Sequence, residues 1–272
     1  MTSALVMAKA PRPGTVKTRL EPLLGPEGCA ALQAALVGTA ARWARAAAAP
    51  GGAYVAFAPA DAEGELRDLV GPGVTLIPDA SGDLGDRLAG ATGRVMAARP
   101  GPLLVAGTDL PALAAEHARA ALAALDGGVD VCFGPAADGG YYLVGLRRPA
   151  PELFALGDAW GGPDVLERSL ALARAGGLRT ALLGEERDLD VPADARAALE
   201  DPRVPAEVAR ALRPAGRPIA PGPDEDGPLV SVIVPTYDEE AQLPGTLDHL
   251  RALPGRFELL VADGGSGDRT LE

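Results

Sequence analysis

Basic side chains are concentrated at the start of this 272-residue chain. The first twenty residues contain Lys9, Arg12, Lys17 and Arg19 and no acidic residue, although the whole chain has a net charge of −12. The two lysines of the chain both stand in this segment. Gly14 lets the backbone approach a ligand, and two cations follow it in the same predicted loop. Such a loop suits a di- or triphosphate.

Two acidic segments each stand at the start of a predicted helix. Asp109 follows a buried strand in Thr108-Asp109-Leu110-Pro111, and Asp190 lies in Asp188-Leu189-Asp190-Val191-Pro192. Each aspartate could simply cap its helix. Opposite a loop that carries Lys17 and Arg19, the same carboxylates could share a metal ion with phosphate groups. Hard cations such as Mg²⁺ or Mn²⁺ take oxygen ligands, so these two ions are the expected cofactors.

Three further segments combine glycine with acidic or aromatic residues. The first lies at a predicted helix start, the second precedes a strand in Asp138-Gly139-Gly140-Tyr141-Tyr142, and the third contains one of the two tryptophans. A tight turn would explain the second segment equally well. With the basic loop, these segments supply the candidate binding residues Gly14, Gly82, Asp83, Asp86, Asp138, Gly139, Gly140 and Trp160; that Gly82 to Asp86 face a nucleotide is implied only by the resemblance described below.

Composition and charge narrow the class of protein. The negative net charge of the chain argues against binding to nucleic acid or to an anionic membrane. The apolar runs are too short to span a membrane, and the N-terminus lacks the pattern of a signal peptide. We predict that Cys29 and Cys132 are buried thiols in a reducing cytoplasm. His117 and His249 are predicted to lie on helix surfaces without a function.

Apolar runs and helical patterns alternate over the first 200 residues. This alternation predicts βαβ units and a mostly parallel sheet, whose carboxyl edge binds ligands. Two adjacent strands, at 129–133 and 141–146, predict a local antiparallel element. The other expected strands span 4–8, 53–58, 74–77, 103–106 and 178–183, and the helices 26–48, 63–70, 83–98, 163–175 and 191–199, with one more that ends at Leu125.

A change of composition divides the chain. We predict one domain at 1–213, a Pro/Gly-rich linker at 214–228, and a partial α/β unit at 229–272. In this last part we expect a strand at 229–234, a helix at 239–253 and a strand at 257–261. One β-α-β unit buries little surface, so it reads as the beginning of a second α/β domain.

The motifs of the first domain resemble a family of bacterial GT-A-fold transferases. That family is named for arsenosugar biosynthesis, or for association with radical-SAM/selenodomain proteins. It is related to the guanylyltransferases of molybdenum-cofactor and 2-phospho-L-lactate metabolism. The resemblance covers about residues 3–200 through five segments in order: 9–20, 82–88, 107–111, 138–142 and 188–190.

The last part of the chain resembles the start of a family 2 glycosyltransferase. The similar segments are Val230 to Glu240 and Ala262 to Asp268. Asp238 stands where that family usually has Asn. The metal-binding motif and catalytic base of the family would lie beyond Glu272, so this part is not expected to be a complete catalyst.

The first resemblance implies a GT-A fold, a doubly wound and mostly parallel sheet of the nucleotide-diphospho-sugar transferase type. It also implies that Lys17 and Arg19 bind phosphates, that Asp109 ligates the metal and that Asp190 is a second ligand. The expected activity is transfer from a nucleotide-activated sugar, or from an NTP to a sugar phosphate, with a small-molecule acceptor. These residue types leave open which bond breaks. The alternative is a non-catalytic nucleotide-binding module in which Asp109 and Asp190 are caps.

Overall fold

A computed structural model of the chain describes residues 1–79, 82–213, 230–251 and 257–270. The chain forms two compact units, Met1–Gly216 and Arg217–Glu272. The predicted linker at 214–228 lies outside the described residues. No helix in the described part of the chain is long and apolar enough to cross a membrane.

A seven-stranded sheet forms the centre of the first unit, in the order β3-β2-β1-β4-β6-β5-β7. Six strands are parallel to one another, and β6 runs antiparallel to both of its neighbours. The predicted α/β class, with a mainly parallel sheet and a local antiparallel element, is therefore confirmed. The strands are β1 Ser3–Lys9, β2 Ala53–Ala58, β3 Thr75–Pro78, β4 Leu103–Ala106, β5 Val131–Pro135, β6 Tyr141–Leu146 and β7 Thr180–Leu182.

Helices cover both faces of this sheet, as a doubly wound fold requires. Side chains of α1, α2 and α4 pack with one face of the sheet, and those of α3 and α5 pack with the other. The helices are α1 Glu21–Ala47, α2 Glu63–Val70, α3 Leu84–Ala98, α4 Ala115–Asp126, α5 Val165–Ala175, α6 Pro192–Glu200 and α7 Ala206–Leu212.

The start of α1 and the helix α7 depart from the sequence prediction. A helix beginning at Pro26 was expected, but a helical turn already begins at Glu21 and meets the rest of α1 at a kink. Gly25 adopts φ +69° at that kink, a conformation that glycine tolerates because it has no Cβ. The pattern also failed to indicate α7.

A third apolar cluster joins the beginning of α1 to α6 and α7. Leu20 and Leu189, both fully buried, belong to this cluster together with Leu32 and Leu212. Leu20 ends the basic loop, and Leu189 immediately precedes Asp190. The cluster therefore fixes two polar segments, distant in sequence, beside the same edge of the sheet.

The second unit contains a parallel pair of strands and one helix. β8 (Val230–Thr236) pairs in register with β9 (Phe257–Asp263), and α8 (Leu243–Arg251) lies between them in sequence. The predicted helix began at Glu239, four residues earlier than α8. Asp238 adopts φ +52°, which Asp and Asn tolerate better than most residues.

Candidate active site

A cavity of about 460 Å³ opens at the carboxyl edge of the first unit's sheet. The edge carries the residues that follow β1, β3 and β4. Because β6 runs the opposite way, its beginning rather than its end lies at this edge. The polar and aromatic residues that line the cavity include Lys9, Lys17, Arg19, Gln33, Asp79, Arg87, Thr108, Asp109, Tyr141, Tyr142, Trp160 and Asp190.

Lys17 connects three segments of the cavity wall. Its side chain is 5% exposed, and its Nζ donates to Oδ1 of Asp109 and, at 2.6 Å, to the carbonyl of Leu189. The backbone N–H of Leu189 in turn donates to the carbonyl of Asp109 at 2.8 Å. An ammonium has three N–H donors, so two are used and one remains for a ligand.

Asp109 presents its carboxylate to solvent. Its side chain is 62% exposed although Lys17 holds one of its oxygens. Asp190 forms an ion pair with Arg19, and both of these side chains are also accessible. The fold therefore brings together the four predicted residues Lys17, Arg19, Asp109 and Asp190.

Other side chains cap the two helices that Asp109 and Asp190 were alternatively expected to cap. The N–H of Ala114, at the start of α4, donates to Nδ1 of His117 at 3.0 Å. At the start of α6, Oδ2 of Asp194 accepts from the N–H groups of Asp190 and Val191, at 3.1 and 2.9 Å. The carboxylates of Asp109 and Asp190 are thus oriented toward cations rather than toward helix ends.

The donor set fits a metal ion that is shared with a phosphate ligand. The described residues contain no group of three or more metal-ligating side chains. Mg²⁺ commonly binds one or two carboxylates and completes its octahedron with water and substrate phosphates. Asp109 and Asp190, two accessible carboxylates on one cavity, match that manner of binding.

Asp188 stands two residues before Asp190 but does not line the main cavity. It lines a second cavity of about 300 Å³ rather than the first. Burial, followed by the negative charges of Asp138, Asp194 and Asp109, raises the pKa of Asp188 to about 6. Its carboxyl group therefore titrates close to neutral pH.

Seven predicted contacts lie outside the lining of the main cavity. Asp83 and Asp86 form a capping box at the start of α3, and Asp138 accepts from the N–H of Gly140 at 2.8 Å. A Cβ at Gly139 would lie 1.9 Å from the carbonyl oxygen of Pro163, so close packing explains that glycine. The contact of all seven residues with a ligand remains a prediction: Gly14, Gly82, Asp83, Asp86, Asp138, Gly139 and Gly140.

Trp160 does line the cavity, where it forms an aromatic wall with β6. Its ring lies 6.2 Å from that of Tyr141, centroid to centroid, in an edge-to-face arrangement. Its Nε1 donates to the carbonyl of Phe154 at 3.3 Å, which fixes the ring. Tyr142 donates its hydroxyl to the carbonyl of Gly184 at 3.1 Å, and burial raises its pKa to about 12.

The prediction for His117 was wrong. The residue is 6% exposed, and its Nε2 lies 3.1 Å from Oε1 of Glu186. Because Nδ1 accepts from Ala114, Nε2 carries the proton and donates to Glu186. Burial alone would raise the pKa of Glu186, but hydrogen bonds from Arg203 and His117 lower it. His117 is therefore a structural link between α4 and the segment before Asp188.

The predicted burial of the two cysteines and the predicted surface position of His249 agree with the structure. Cys29 and Cys132 are free and fully buried, and burial raises the pKa of Cys132 to about 11. His249 is exposed on α8.

Gln33 and Asp79 were not singled out from the sequence. Gln33 is buried in α1, and its Nε2 donates to the carbonyl of Lys9 at 3.1 Å and to Oγ1 of Thr108 at 3.3 Å. It thereby holds the end of β1 against the loop that carries Asp109. A polar residue on the inward face of a helix was the only available signal.

A solved structure with clear similarity covers most of the first unit's length. It comes from Desulfovibrio desulfuricans G20 and is described as a nucleotide-diphospho-sugar transferase. The TM-score is 0.66 at 26% identity, over 78% of this chain and 93% of that one. The fold is of the nucleotide-diphospho-sugar transferase type.

Two protein families match parts of the chain. Residues 39–161 match the family described as "Uncharacterized protein conserved in bacteria (DUF2064)", and residues 231–272 match "Glycosyl transferase family 2". The first match includes Asp109 and Trp160 but ends before Asp190.

Curated relatives match over a short segment. The "PGL/p-HBAD biosynthesis glycosyltransferase" proteins of Mycobacterium bovis and Mycobacterium tuberculosis are 48% identical over 46 residues. This segment is 16% of the chain and spans only 18% of the length of those relatives. Together the comparisons support a protein of the transferase type, with a nucleotide-diphospho-sugar transferase fold in the first unit and similarity to family 2 glycosyltransferases in the second.

Proposed function

We propose that residues 1–213 form a metal-dependent transferase. Its substrate is a nucleotide-activated sugar, or an NTP together with a sugar phosphate. The observation that carries this proposal is the contact of Lys17 with Asp109 and of Arg19 with Asp190 in the wall of one cavity at the carboxyl edge of the sheet. Ligands of open α/β sheets bind at that edge.

The proposed chemistry requires stabilisation of negative charge on phosphate oxygens. Attack on the α-phosphorus of an NTP releases pyrophosphate, and cleavage of a sugar–phosphate bond releases a nucleoside diphosphate. In both reactions the departing phosphate gains charge, which fixed cations stabilise where it develops. A divalent metal bound at Asp109 and Asp190 would supply further neutralisation.

Lys17 and Arg19 contribute differently to this proposed site. Lys17 is buried and already oriented by two hydrogen bonds, so it meets a phosphate oxygen with little further ordering. Arg19 is accessible, and its guanidinium can move from Asp190 toward an incoming phosphate. Asp109 is the carboxylate that remains open to a metal while it holds Lys17.

Two parallel assays test the proposal. In one, each NTP is incubated with candidate sugar phosphates and Mg²⁺, and pyrophosphate is measured. In the other, release of nucleoside diphosphate from NDP-sugars is measured. We expect turnover in one assay and its loss in Asp109→Asn. Tight nucleotide binding without turnover in either assay would favour a non-catalytic binding module.

The second unit is proposed to be the beginning of a family 2 glycosyltransferase domain, as its family match suggests. Several of its apolar side chains are exposed, including those of Ile233, Tyr237 and Leu260. We propose that the two units serve one pathway, in which the first makes or uses an activated sugar and the second belongs to a transfer step.

A further inference from the structure

Gln33 is a buried polar residue in the wall of the main cavity. It belongs to α1 and is 3% exposed. The NH₂ group of its amide has two N–H donors, and the fold uses both: Nε2 donates to the carbonyl of Lys9 at 3.1 Å and to Oγ1 of Thr108 at 3.3 Å. Because a carbonyl only accepts hydrogen bonds, the contact with Lys9 fixes which end of the amide faces these partners.

The loop that carries Asp109 depends on such contacts for its position. Residues 107–114, between β4 and α4, belong to no helix or strand. The hydroxyl of Thr108 is held by Gln33, and the carbonyl of Asp109 accepts from the N–H of Leu189 at 2.8 Å. Gln33 therefore anchors the loop one residue before the carboxylate.

The same face of α1 also contacts the loop that carries Lys17. Cys29 and Gln33 are four residues apart, so their side chains are neighbours on one side of the helix. Sγ of Cys29 donates to the carbonyl of Lys17 at 3.3 Å. Lys17 itself has φ +50°, a left-handed conformation that is uncommon for a residue with a side chain. One helix thus contacts both segments whose side chains meet between Lys17 and Asp109.

A glutamine is not needed for packing at this inward position. Burial removes its amide from water, whereas a leucine of similar size would fill the space without that loss. The two hydrogen bonds compensate the amide, and they are directional, which apolar contacts are not. What Gln33 adds beyond packing is therefore a defined position for the hydroxyl of Thr108.

We propose that Gln33 is a positioning residue for a divalent metal, and that it acts through Thr108 on the carboxylate of Asp109. This inference rests on the proposed function, and it adds a residue that determines metal affinity without being a ligand. Removal of side chains that hold a metal ligand in place typically weakens metal binding about 10- to 100-fold. Because Gln33 reaches Asp109 through the neighbouring residue, we expect a loss of about 10-fold.

Binding of Mn²⁺ to the full chain tests the inference without turnover. The electron paramagnetic resonance signal of free Mn²⁺ is lost on binding, so a titration gives the Kd. Thr108→Val keeps the shape of the side chain and removes the acceptor for Gln33, whereas Thr108→Ser keeps the hydroxyl. We expect Thr108→Val and Gln33→Leu to bind Mn²⁺ about 10-fold more weakly than wild type, and Thr108→Ser to bind it equally well. Wild-type affinity in Thr108→Val would overturn the inference, also if Gln33→Leu does not fold.

Thr39→Val is the matched control on the same helix. Thr39 is 6% exposed, its Oγ1 accepts from Nη2 of Arg42 at 3.0 Å, and it lies outside the lining of the main cavity. This variant also loses a hydrogen bond of a buried side chain of α1, so its Tm can fall, but its affinity for Mn²⁺ should not change. If Mn²⁺ binding weakens equally in Thr39→Val, general destabilisation explains the loss and the role of Gln33 is refuted.

The double variant Gln33→Leu/Thr108→Val tests the route of the effect. If Gln33 acts through Thr108, the double variant binds Mn²⁺ as weakly as Gln33→Leu alone, because the contact is already absent. If the two losses multiply, the residues act separately, which contradicts the proposed route.

Asp109→Asn distinguishes the failure of this inference from the failure of the proposed metal site. If wild type binds Mn²⁺ more tightly than Asp109→Asn, while Gln33→Leu and Thr108→Val match wild type, the metal site stands and the role of Gln33 falls. If wild type and Asp109→Asn bind Mn²⁺ equally, both are overturned.

Discussion

At the scale of single residues, the contact between Lys17 and Asp109 determines the character of the site. Most ion pairs on a protein surface contribute little to stability. Lys17 differs because its side chain is almost fully buried, so its ammonium must be compensated by its two acceptors. Removal of either partner leaves an uncompensated polar group, and it also changes the charge that a phosphate or metal would meet.

Asp109→Asn is expected to abolish turnover and leave the fold intact. The amide can still accept from Lys17, but it lacks the charge that a metal requires. A loss of about 100- to 1,000-fold in kcat is typical when one electrostatic stabiliser is removed. The measurement is steady-state turnover with Mg²⁺, together with thermal unfolding. Near-normal kcat would remove Asp109 from the site, and a loss that follows a lowered Tm would assign it a structural role.

Lys17→Ala is expected to weaken nucleotide binding roughly 10- to 100-fold, since a charge-assisted hydrogen bond contributes about 1.5–3 kcal/mol. Arg12→Ala is the control, because Arg12 pairs with Asp61 and Glu65 outside the cavity lining. Added salt should weaken binding more steeply in wild type than in Lys17→Ala. Titration calorimetry with an NTP and an NDP-sugar, each with Mg²⁺, makes the comparison. Equal affinities of wild type and Lys17→Ala would contradict the phosphate contact.

Asp188→Asn is expected to stabilise the protein at pH 8 but not at pH 4. The folded state raises the pKa of Asp188 to about 6, mainly through burial, so folding favours its protonated form. That stability is present below the ordinary pKa of 3.8 and is lost as the pH rises through 6. After solvent screening, about 1 kcal/mol remains, or a gain of about 2–4 °C in Tm.

Thermal unfolding of wild type and Asp188→Asn at the two pH values provides the test. Asp126→Asn removes an exposed charge and should show no such pH-dependent gain. A stabilisation of Asp188→Asn that is the same at both pH values would refute the titration argument.

At the scale of elements, the periodicity of apolar residues predicted the helices and strands that local sequence determines. The expected bounds of β4 and β6 agree with the structure because short apolar runs stand between clear turn residues. The early start of α1 was missed because Gly25 and Pro26 look like a helix boundary, although the chain only bends there. α7 was missed because it is only seven residues long, which is too short for a clear helical period; its Val208 and Leu212 are buried in the cluster with α1 and α6.

The grouping of the candidate residues was predictable where they belong to local motifs. The basic loop and the two aspartates could be recognised because each belongs to a short and distinctive sequence motif. The pairing of His117 with Glu186, and that of Asp79 with Arg87, depend on contacts that the fold creates. Gln33 likewise acquires its partners only when α1 packs on β1 and β4. A single sequence contains no signal for such long-range pairs.

Leu212→Ala is expected to destabilise the first unit by about 2–5 kcal/mol, which is typical for a fully buried leucine. The reason is the cavity that it would leave where α7 packs on α1. Leu199→Ala provides the control, since Leu199 is exposed on α6. Urea unfolding of both variants measures the difference. Equal stability of the two variants would mean that α7 contributes little to this unit.

At the scale of the whole molecule, the chain divides into two compact units, and the division falls within a sequence segment rich in Pro and Gly. A chain that ends at Arg213 retains α7 and all seven strands of the first sheet. We therefore expect its Tm and its nucleotide affinity to equal those of the full chain.

Calorimetry on the full and the shortened chain decides this prediction. A chain that ends at Arg203 lacks α7. Its Tm shows how large a decrease results when native packing is lost. If ending the chain at Arg213 lowers the Tm of the first unit, the second unit contributes to its stability.

The reversed direction of β6 has a consequence for how this scaffold can be altered. In a purely parallel sheet, each strand reaches the ligand edge only at its end, and the next connection leaves for the opposite edge. Here the tight turn at 136–140 and the first residues of β6 share the edge with the cavity. The turn itself packs tightly, since a Cβ at Gly139 would meet the carbonyl of Pro163, whereas Tyr141 and Tyr142 line the cavity. Substitutions at these first two positions of β6 would therefore change the shape of the cavity while the strand order and both helical layers stay in place.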